Sequence, residues 1–174
     1  MTGHPGSPTL PSSWILRHLG LVPAGGAVLD LAAGSGRHTR LALDRGYRVT
    51  ALDRDVSDLG RIAGAEVIVH DLEDGTPFPL TERRFEGIIV TNYLWRPLLP
   101  ALPGLLARGG VLLYETFARG NERFGKPSNP AFLLTPGELL DAARPPLRVI
   151  AYEDLEIEEP RPACVQRIAA RHEG

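Results

Sequence analysis

The segment "VLDLAAGSGRHTR", Val28 to Arg40, decides how the rest of the chain is read. An apolar run broken only by Asp30 stops at two alanines. Gly34 and Gly36 follow, one residue apart, and polar and basic residues then open a helical pattern. Strand, glycine turn and helix in that order bring a nucleotide close to the backbone, because glycine lacks a Cβ and tolerates positive φ. A nicotinamide or flavin dinucleotide calls for G-x-G-x-x-G, yet Thr39 stands where the third glycine would be. A phosphate-binding P-loop is excluded, since no Lys-Ser or Lys-Thr follows the glycines. Asp30 lies four residues before Gly34. A carboxylate there suits a ligand carrying an ammonium group better than one carrying phosphates.

Outward from this segment, strands and helices alternate. "AVLDLA" is the first strand and "RHTRLALDRG" the helix after it, with Gly46 placed to end it. "YRVTALD" is a second strand, "DVSDLGRIAG" a short helix and "AEVIVHD" a third strand. "FEGIIVTN" is the fourth strand, with the continuous apolar run Gly87 to Val90 that a strand covered on both faces should have. "RPLLPALPGLLARGG" is helical by its leucines, but Pro97, Pro100 and Pro103 must break or delay that helix. "GVLLYETFA" is the fifth strand. In "TPGELLDAAR" Thr135 is the expected N-cap, with Pro136 at the first helical position and Glu138 completing a capping box. "LRVIAYEDLEI" and "CVQRIAARHE" are joined by only "EEPRPA", too short for a parallel crossover, so these two strands should pair antiparallel. The predicted object is a doubly wound α/β sheet, mostly parallel, with an antiparallel strand at one end.

Composition narrows the class. The chain has 174 residues, enough for one domain, and is 43% hydrophobic with a net charge of −2. The charge balance argues against a dedicated nucleic-acid binder, which carries a basic stripe. Cys164 is the only cysteine, and none of the five histidines has a helical partner at ligand spacing, so no metal site is expected. "MTGHPGSPTLPSS" lacks a signal-peptide pattern and no apolar run is long enough to span a bilayer, so no membrane partner and a cytoplasmic location are expected. Residues 1–24 read as an arm and a short cover helix, "PSSWILRHLG", capped by Ser12 or Ser13 and closed by Gly20. Residues 25–174 read as the single folded domain.

At this point the residues carry a resemblance. "VLDLAAGSGRHT" resembles motif I (D/E-x-x-x-G-x-G) of the class I S-adenosylmethionine-dependent methyltransferases. Asp53 matches that family's acidic ribose binder, "HDLEDGTPFPL" its adenine-binding segment, "FEGIIVTNYLW" its fourth strand and "LLARGGVLLYETF" its glycine turn and fifth strand. The resemblance spans about residues 25 to 171 and is closest to the compact bacterial type near the tellurite-resistance methyltransferases. It implies a Rossmann-like sheet of seven strands, order 3-2-1-4-5-7-6, with strand 7 antiparallel. It implies S-adenosylmethionine as cofactor, S-adenosylhomocysteine as product, and donor contacts at Asp30, Ala32, Gly34, Gly36, Asp53, Arg54, Asp71, Leu72, Thr91 and Asn92.

Methyl transfer from a sulfonium is an in-line displacement in which the protein supplies alignment and excludes water. The acceptor should face the methyl group beyond the fourth strand. Tyr93 and Trp95 offer aromatic faces there, and Asn92-Tyr93-Leu94-Trp95 departs from the Asn/Asp-Pro-Pro-Tyr/Phe of amino-group methylases acting on nucleobases and glutamine. The irregular stretch "ETFARGNERFGKPSNP" reads as a functional loop. Phe117, Arg119 and Arg123 are its candidate acceptor contacts, the arginines pairing an acidic group. Tyr93 and Glu115 are the candidate bases, in a reaction resting mainly on proximity. His38 and Arg37 read as exposed residues at a helix start, and Trp14 as a core anchor. The expected partner is a small oxygen, nitrogen, sulfur or chalcogen nucleophile, and the expected assembly a monomer or homodimer. The competing readings are a non-catalytic module of the same fold, a methyltransferase acting on nucleic acid or protein, and an NAD-type oxidoreductase.

Overall fold

A computed structural model describes residues 10–174. The strands are β1 (Ala27–Leu31), β2 (Arg48–Asp53), β3 (Glu66–Val69), β4 (Phe85–Thr91), β5 (Leu106–Phe117), β6 (Leu147–Ile157) and β7 (Ala163–His172). They form one seven-stranded sheet in the order β3-β2-β1-β4-β5-β7-β6. All pairs from β3 to β5 are parallel, and β7 runs antiparallel to both β5 and β6. Strand order and the single reversed strand are therefore as the sequence implied.

Alternation along the strands builds two cores. Val28, Ile89, Val111 and Leu113 face one side, where they meet Trp14, Ile15 and Leu19 of the N-terminal segment and Ala42 of the helix after β1. Leu29, Leu31, Ile88, Val90 and Leu112 face the other, against Leu99, Leu102 and Leu139. The helices are α1 (Ser13–His18), α2 (Arg37–Asp44) and α3 (Glu138–Ala143). Trp14 is buried, and its indole N–H donates to the Ile168 carbonyl at 3.1 Å. Helix α1 is thus built into the core, and Trp14 is the anchor its sequence suggested. No helix among the described residues is long and apolar enough to cross a membrane.

Several elements depart from expectation. "DVSDLGRIAG" keeps only one 3-10 turn, Leu59–Arg61, since its glycines and β-branched residues support no longer helix. Arg96–Leu105 is 3-10 throughout, with Pro100 and Pro103 inside it. Proline cannot donate the i→i−4 bond of an α-helix, so the leucines reach the core on a tighter spiral. Helix α3 starts at Glu138 behind Gly137 (φ 78°), so Thr135 is not its N-cap. Glu138 still accepts from the Thr135 N–H at 2.8 Å, which preserves half of the expected box, and its other partner is Arg96 at 2.7 Å.

Candidate functional site

The strand order reverses between β1 and β4, and ligands in open α/β sheets sit at the carboxyl ends of the strands at such a point. The loop after β1 is shaped for close approach. Ala32, Gly34 and Gly36 all have positive φ, at 53°, 57° and 79°. Gly34 is exposed, and a Cβ placed on it would meet nothing within 4 Å. Gly36 is the reverse: a Cβ there would press on Ile62 and come within 2.8 Å of Leu59 Cδ2. Gly34 therefore faces open space, and Gly36 is a packing glycine that lets α2 begin against the turn 59–62.

Two carboxylates hold this loop. Asp53, at the end of β2, accepts from the Gly34 N–H with Oδ2 and from the Asp55 N–H with Oδ1, each at 2.9 Å. Asp30, on β1, is 1% exposed, and its Oδ2 accepts the Thr39 hydroxyl at 2.6 Å. Burial pushes the Asp30 pKa up to about 6, against the pull of its bonds to Thr39 and of the nearby Arg37. Thr39, which replaces the third glycine, is thus the residue that satisfies Asp30.

Farther along the rim, Asp71 caps its own turn by accepting from the Glu73 N–H at 2.9 Å, and Leu72 beside it is half-buried. Arg54 is exposed. The Tyr93 hydroxyl donates to Glu73 at 3.0 Å, and burial with the adjacent Glu73 raises its pKa well above the ordinary phenol value. Tyr93 therefore lies toward Asp71 and Glu73. Thr91 and Asn92 close the end of β4. Asn92 takes positive φ (54°), and its N–H donates to the Glu115 carbonyl at 2.9 Å.

Next to this rim lies a cavity of about 420 Å³. Asn92, Glu115 and Phe117 form its floor at the ends of β4 and β5, and Val165 and Arg167 extend it along β7. The turn Ile157–Ala163 and residues Leu10–Ser13 form its sides, with Arg37 at the start of α2. Tyr93, Trp95, Arg119 and Arg123 are not among its lining residues. Arg119 is exposed, and Arg123 is spent on Glu156 and the Gly120 carbonyl, which tie its loop to the β6–β7 end. Of the expected acceptor contacts the structure brings only Phe117 to the cavity lining, and of the two candidate bases only Glu115.

A buried polar network, not anticipated in the sequence, forms the wall. Ser12 caps α1 by accepting from the Trp14 N–H at 3.1 Å. Its hydroxyl donates to Glu115 Oε1 at 2.7 Å, and its own N–H donates to His38 Nε2 at 3.0 Å. Because a backbone N–H can only donate, Nε2 must be the unprotonated nitrogen; Nδ1 then carries the proton and faces Thr91 Oγ1 at 3.3 Å. His38 is 2% exposed, which corrects the reading of it as an exposed helix-start residue. Burial and the neighbouring Arg37 push its pKa down to about 3. Arg37 is half-buried, and its Nη1 donates to the Leu10 carbonyl at 2.9 Å. Glu115 Oε2 bonds Arg167 Nη1 at 3.2 Å, and Arg167 also binds Glu153 at 2.6 Å. Register explains the triad: Arg167 on β7 lies opposite Glu115 on β5 and opposite Glu153 on β6. A partial signal was present, since Ser12 heads a helix and Arg167 alternates with apolar residues on a strand.

No family model and no curated protein sequence matches the chain. Solved structures do match its fold. TehB from Haemophilus influenzae superposes with a TM-score of 0.68 at 16% identity, over 91% of this chain and 60% of that one, so this chain spans well under two thirds of TehB. A TehB-like SAM-dependent methyltransferase from Corynebacterium glutamicum gives 0.66 at 17% identity, over 91% of this chain and 86% of that one. The 1,6-didemethyltoxoflavin-N1-methyltransferase of Burkholderia thailandensis, solved with 1,6-didemethyltoxoflavin and S-adenosylhomocysteine, gives 0.64 at 20% identity, over 92% of this chain and 76% of that one. The chain has the Rossmann-like fold of the S-adenosylmethionine-dependent methyltransferases.

Proposed function

We propose that this chain is an S-adenosylmethionine-dependent methyltransferase acting on a small-molecule nucleophile. The observation that carries the reading is the loop Ala32–Gly36. Its left-handed residues, its open face at Gly34 and its tie to Asp53 lie at the switch point of the sheet, directly before the arginine that borders the cavity.

The residues present fit this cofactor. The Asp53 carboxylate keeps lone pairs beyond its two backbone bonds and would accept from ribose hydroxyls. Asp71 and Leu72 stand where an adenine edge would be read. Asp30 is a buried carboxylate with no cationic partner within salt-bridge distance among the described residues, and its charge would favour an ammonium group held at the loop. The bound cofactor supplies an electrophilic methyl group and its own leaving group. The protein then needs to hold the acceptor in line and limit water, and the cavity at the ends of β4 and β5 offers a largely apolar place for it. Neither candidate base is placed as a free one. The Tyr93 hydroxyl is engaged with Glu73, and Glu115 is bonded by Ser12 and Arg167. Glu115 instead fixes the wall, and catalysis rests on alignment of an acceptor that is already nucleophilic.

Calorimetry tests the reading. S-adenosylhomocysteine should bind with a dissociation constant in the micromolar range while NADH shows no saturable binding. Absence of binding by either S-adenosyl ligand would overturn it.

A further inference from the structure

The cavity beside the donor loop is chemically uneven. Most of its lining is apolar, including Phe117, Ile157, Pro160 and Val165. Its charged groups are three arginines and two glutamates, Arg37, Arg161, Arg167, Glu115 and Glu159, which leave one excess positive charge; Glu159 is exposed on the same turn as Arg161. Glu115 and Arg167 satisfy each other, at 3.2 Å. Arg37 and Arg161 have no carboxylate within salt-bridge distance among the described residues. Arg37 is half-buried and commits one nitrogen to the Leu10 carbonyl, and the guanidinium has five N–H donors, so most of its donor capacity is unspent. Arg161 reaches the Lys126 carbonyl at 3.4 Å and lies over the Phe117 ring, 5.7 Å from its centroid. Asp30 and Glu115 act on Arg37 only from beyond salt-bridge distance, and burial outweighs them, so a half-buried guanidinium with no carboxylate in contact carries a desolvation cost that a bound anion would relieve.

Resting on the methyltransferase reading, we infer that the acceptor is a small organic acid. Its carboxylate is held by Arg37 or Arg161, its apolar or aromatic body lies against Phe117 and Val165, and a hydroxyl or amine on that body forms the bond to the methyl carbon as the donor's carbon–sulfur bond breaks, releasing S-adenosylhomocysteine and a proton to solvent. The size of the cavity selects the body. About 420 Å³ is the volume of a pocket for a small organic molecule, whereas a bare inorganic oxyanion would leave its apolar walls in contact with nothing. Charge selects the head group, because the unspent donors are guanidinium N–H groups whose planar fork matches a carboxylate. Arg119 and Arg123, the arginines singled out in the sequence for this task, lie off the cavity lining. The recognising pair comes instead from the start of α2 and the β6–β7 turn.

The test uses the full chain saturated with S-adenosylhomocysteine and two matched probe pairs, benzoate with benzamide and salicylate with salicylamide. Titration by ligand-observed NMR should show each acid binding about tenfold more tightly than its amide. Arg161→Gln, an exposed substitution, and Arg37→Gln should between them remove this preference, with S-adenosylhomocysteine affinity retained in Arg161→Gln. Sulfate at the same concentration should not displace benzoate. Equal binding of acid and amide, binding of neither, or displacement by sulfate would overturn the inference while leaving the activity class standing. Failure of S-adenosylhomocysteine to bind in the first titration would instead remove the methyltransferase reading.

Discussion

Thr39 donates its hydroxyl to the buried Asp30 carboxylate across 2.6 Å, and through this bond the first turn of α2 is fastened to β1. The residue that breaks the dinucleotide glycine pattern is therefore a specific partner for the acid that precedes the glycines. A glycine at 39 would leave that acid with less to bond.

Replacing Asp30 by Asn should make the protein more stable at pH 8 and a poorer binder. In the folded state burial raises the Asp30 pKa to about 6, above the ordinary carboxylate value of 3.8. The folded chain thus favours the protonated acid. That contribution to stability is fully present below about pH 3.8 and lost as pH rises through 6. The loss is at most about 3 kcal/mol, at about 1.4 kcal/mol for each pKa unit. Thermal melts of Asp30→Asn should show a gain over wild type at pH 8 that vanishes near pH 4, with weaker S-adenosylhomocysteine binding at pH 8. A variant less stable than wild type at pH 8 would show that the charge is compensated.

His38 should produce the opposite slope. Its folded pKa of about 3 lies below the ordinary imidazole value of 6.5, so the stability of the neutral ring is complete above pH 6.5 and is lost as pH falls toward 3. The slope approaches about 1.4 kcal/mol per pH unit in that range. Between roughly pH 4 and 6 the Asp30 and His38 contributions oppose one another. Urea unfolding across that interval should therefore become steeper in acid for Asp30→Asn. His38→Gln should lose its share of the acid destabilisation, because the amide oxygen can still accept from Ser12.

The two glycines of the loop should separate stability from binding. Gly36→Ala should destabilise strongly, by roughly 2–4 kcal/mol, since strain at φ 79° adds to overlap with Ile62 and Leu59. Gly34→Ala meets nothing and pays only for its φ of 57°, about 1–2 kcal/mol. If a ligand lies over Gly34, its affinity should fall at least tenfold in Gly34→Ala while the melting temperature drops by only a few degrees. An unchanged affinity would place the ligand elsewhere.

Glu115→Gln should cost about 1–3 kcal/mol of stability, because Arg167 is left buried with one carboxylate instead of two. The pH dependence of turnover, once an acceptor is in hand, should keep its shape in this variant. Loss of an acidic limb would identify Glu115 as a base and contradict the wall role given to it here.

Strand positions, the antiparallel final pair and the glycine loop were legible because they rest on local signals, whereas the order of the strands came from the family resemblance. Apolar runs such as Phe85–Thr91 and the short "EEPRPA" link fix strand type and direction, and Gly34, Gly36 and Asp53 fall at strand ends that those runs define. The acceptor side was not legible, for two physical reasons. Its wall depends on Ser12 meeting His38 and Glu115, residues 26 and 103 positions away, and no spacing rule reaches that far. Arg119 and Arg123 lie off the cavity lining, and charge alone does not tell a guanidinium already bonded, as Arg123 is to Glu156, from one left with donors to spend. Proline inside the leucine run of 96–105 did announce a broken helix, but not that the run would persist as 3-10.

Ser12 caps a helix, donates to a histidine and donates to a glutamate, and the Leu10 carbonyl two residues earlier holds Arg37. The segment 10–12 therefore ties the starts of α1 and α2 to the end of β5 like a clasp at the rim of the cavity, and shortening the chain to Ser13 would release all three at once.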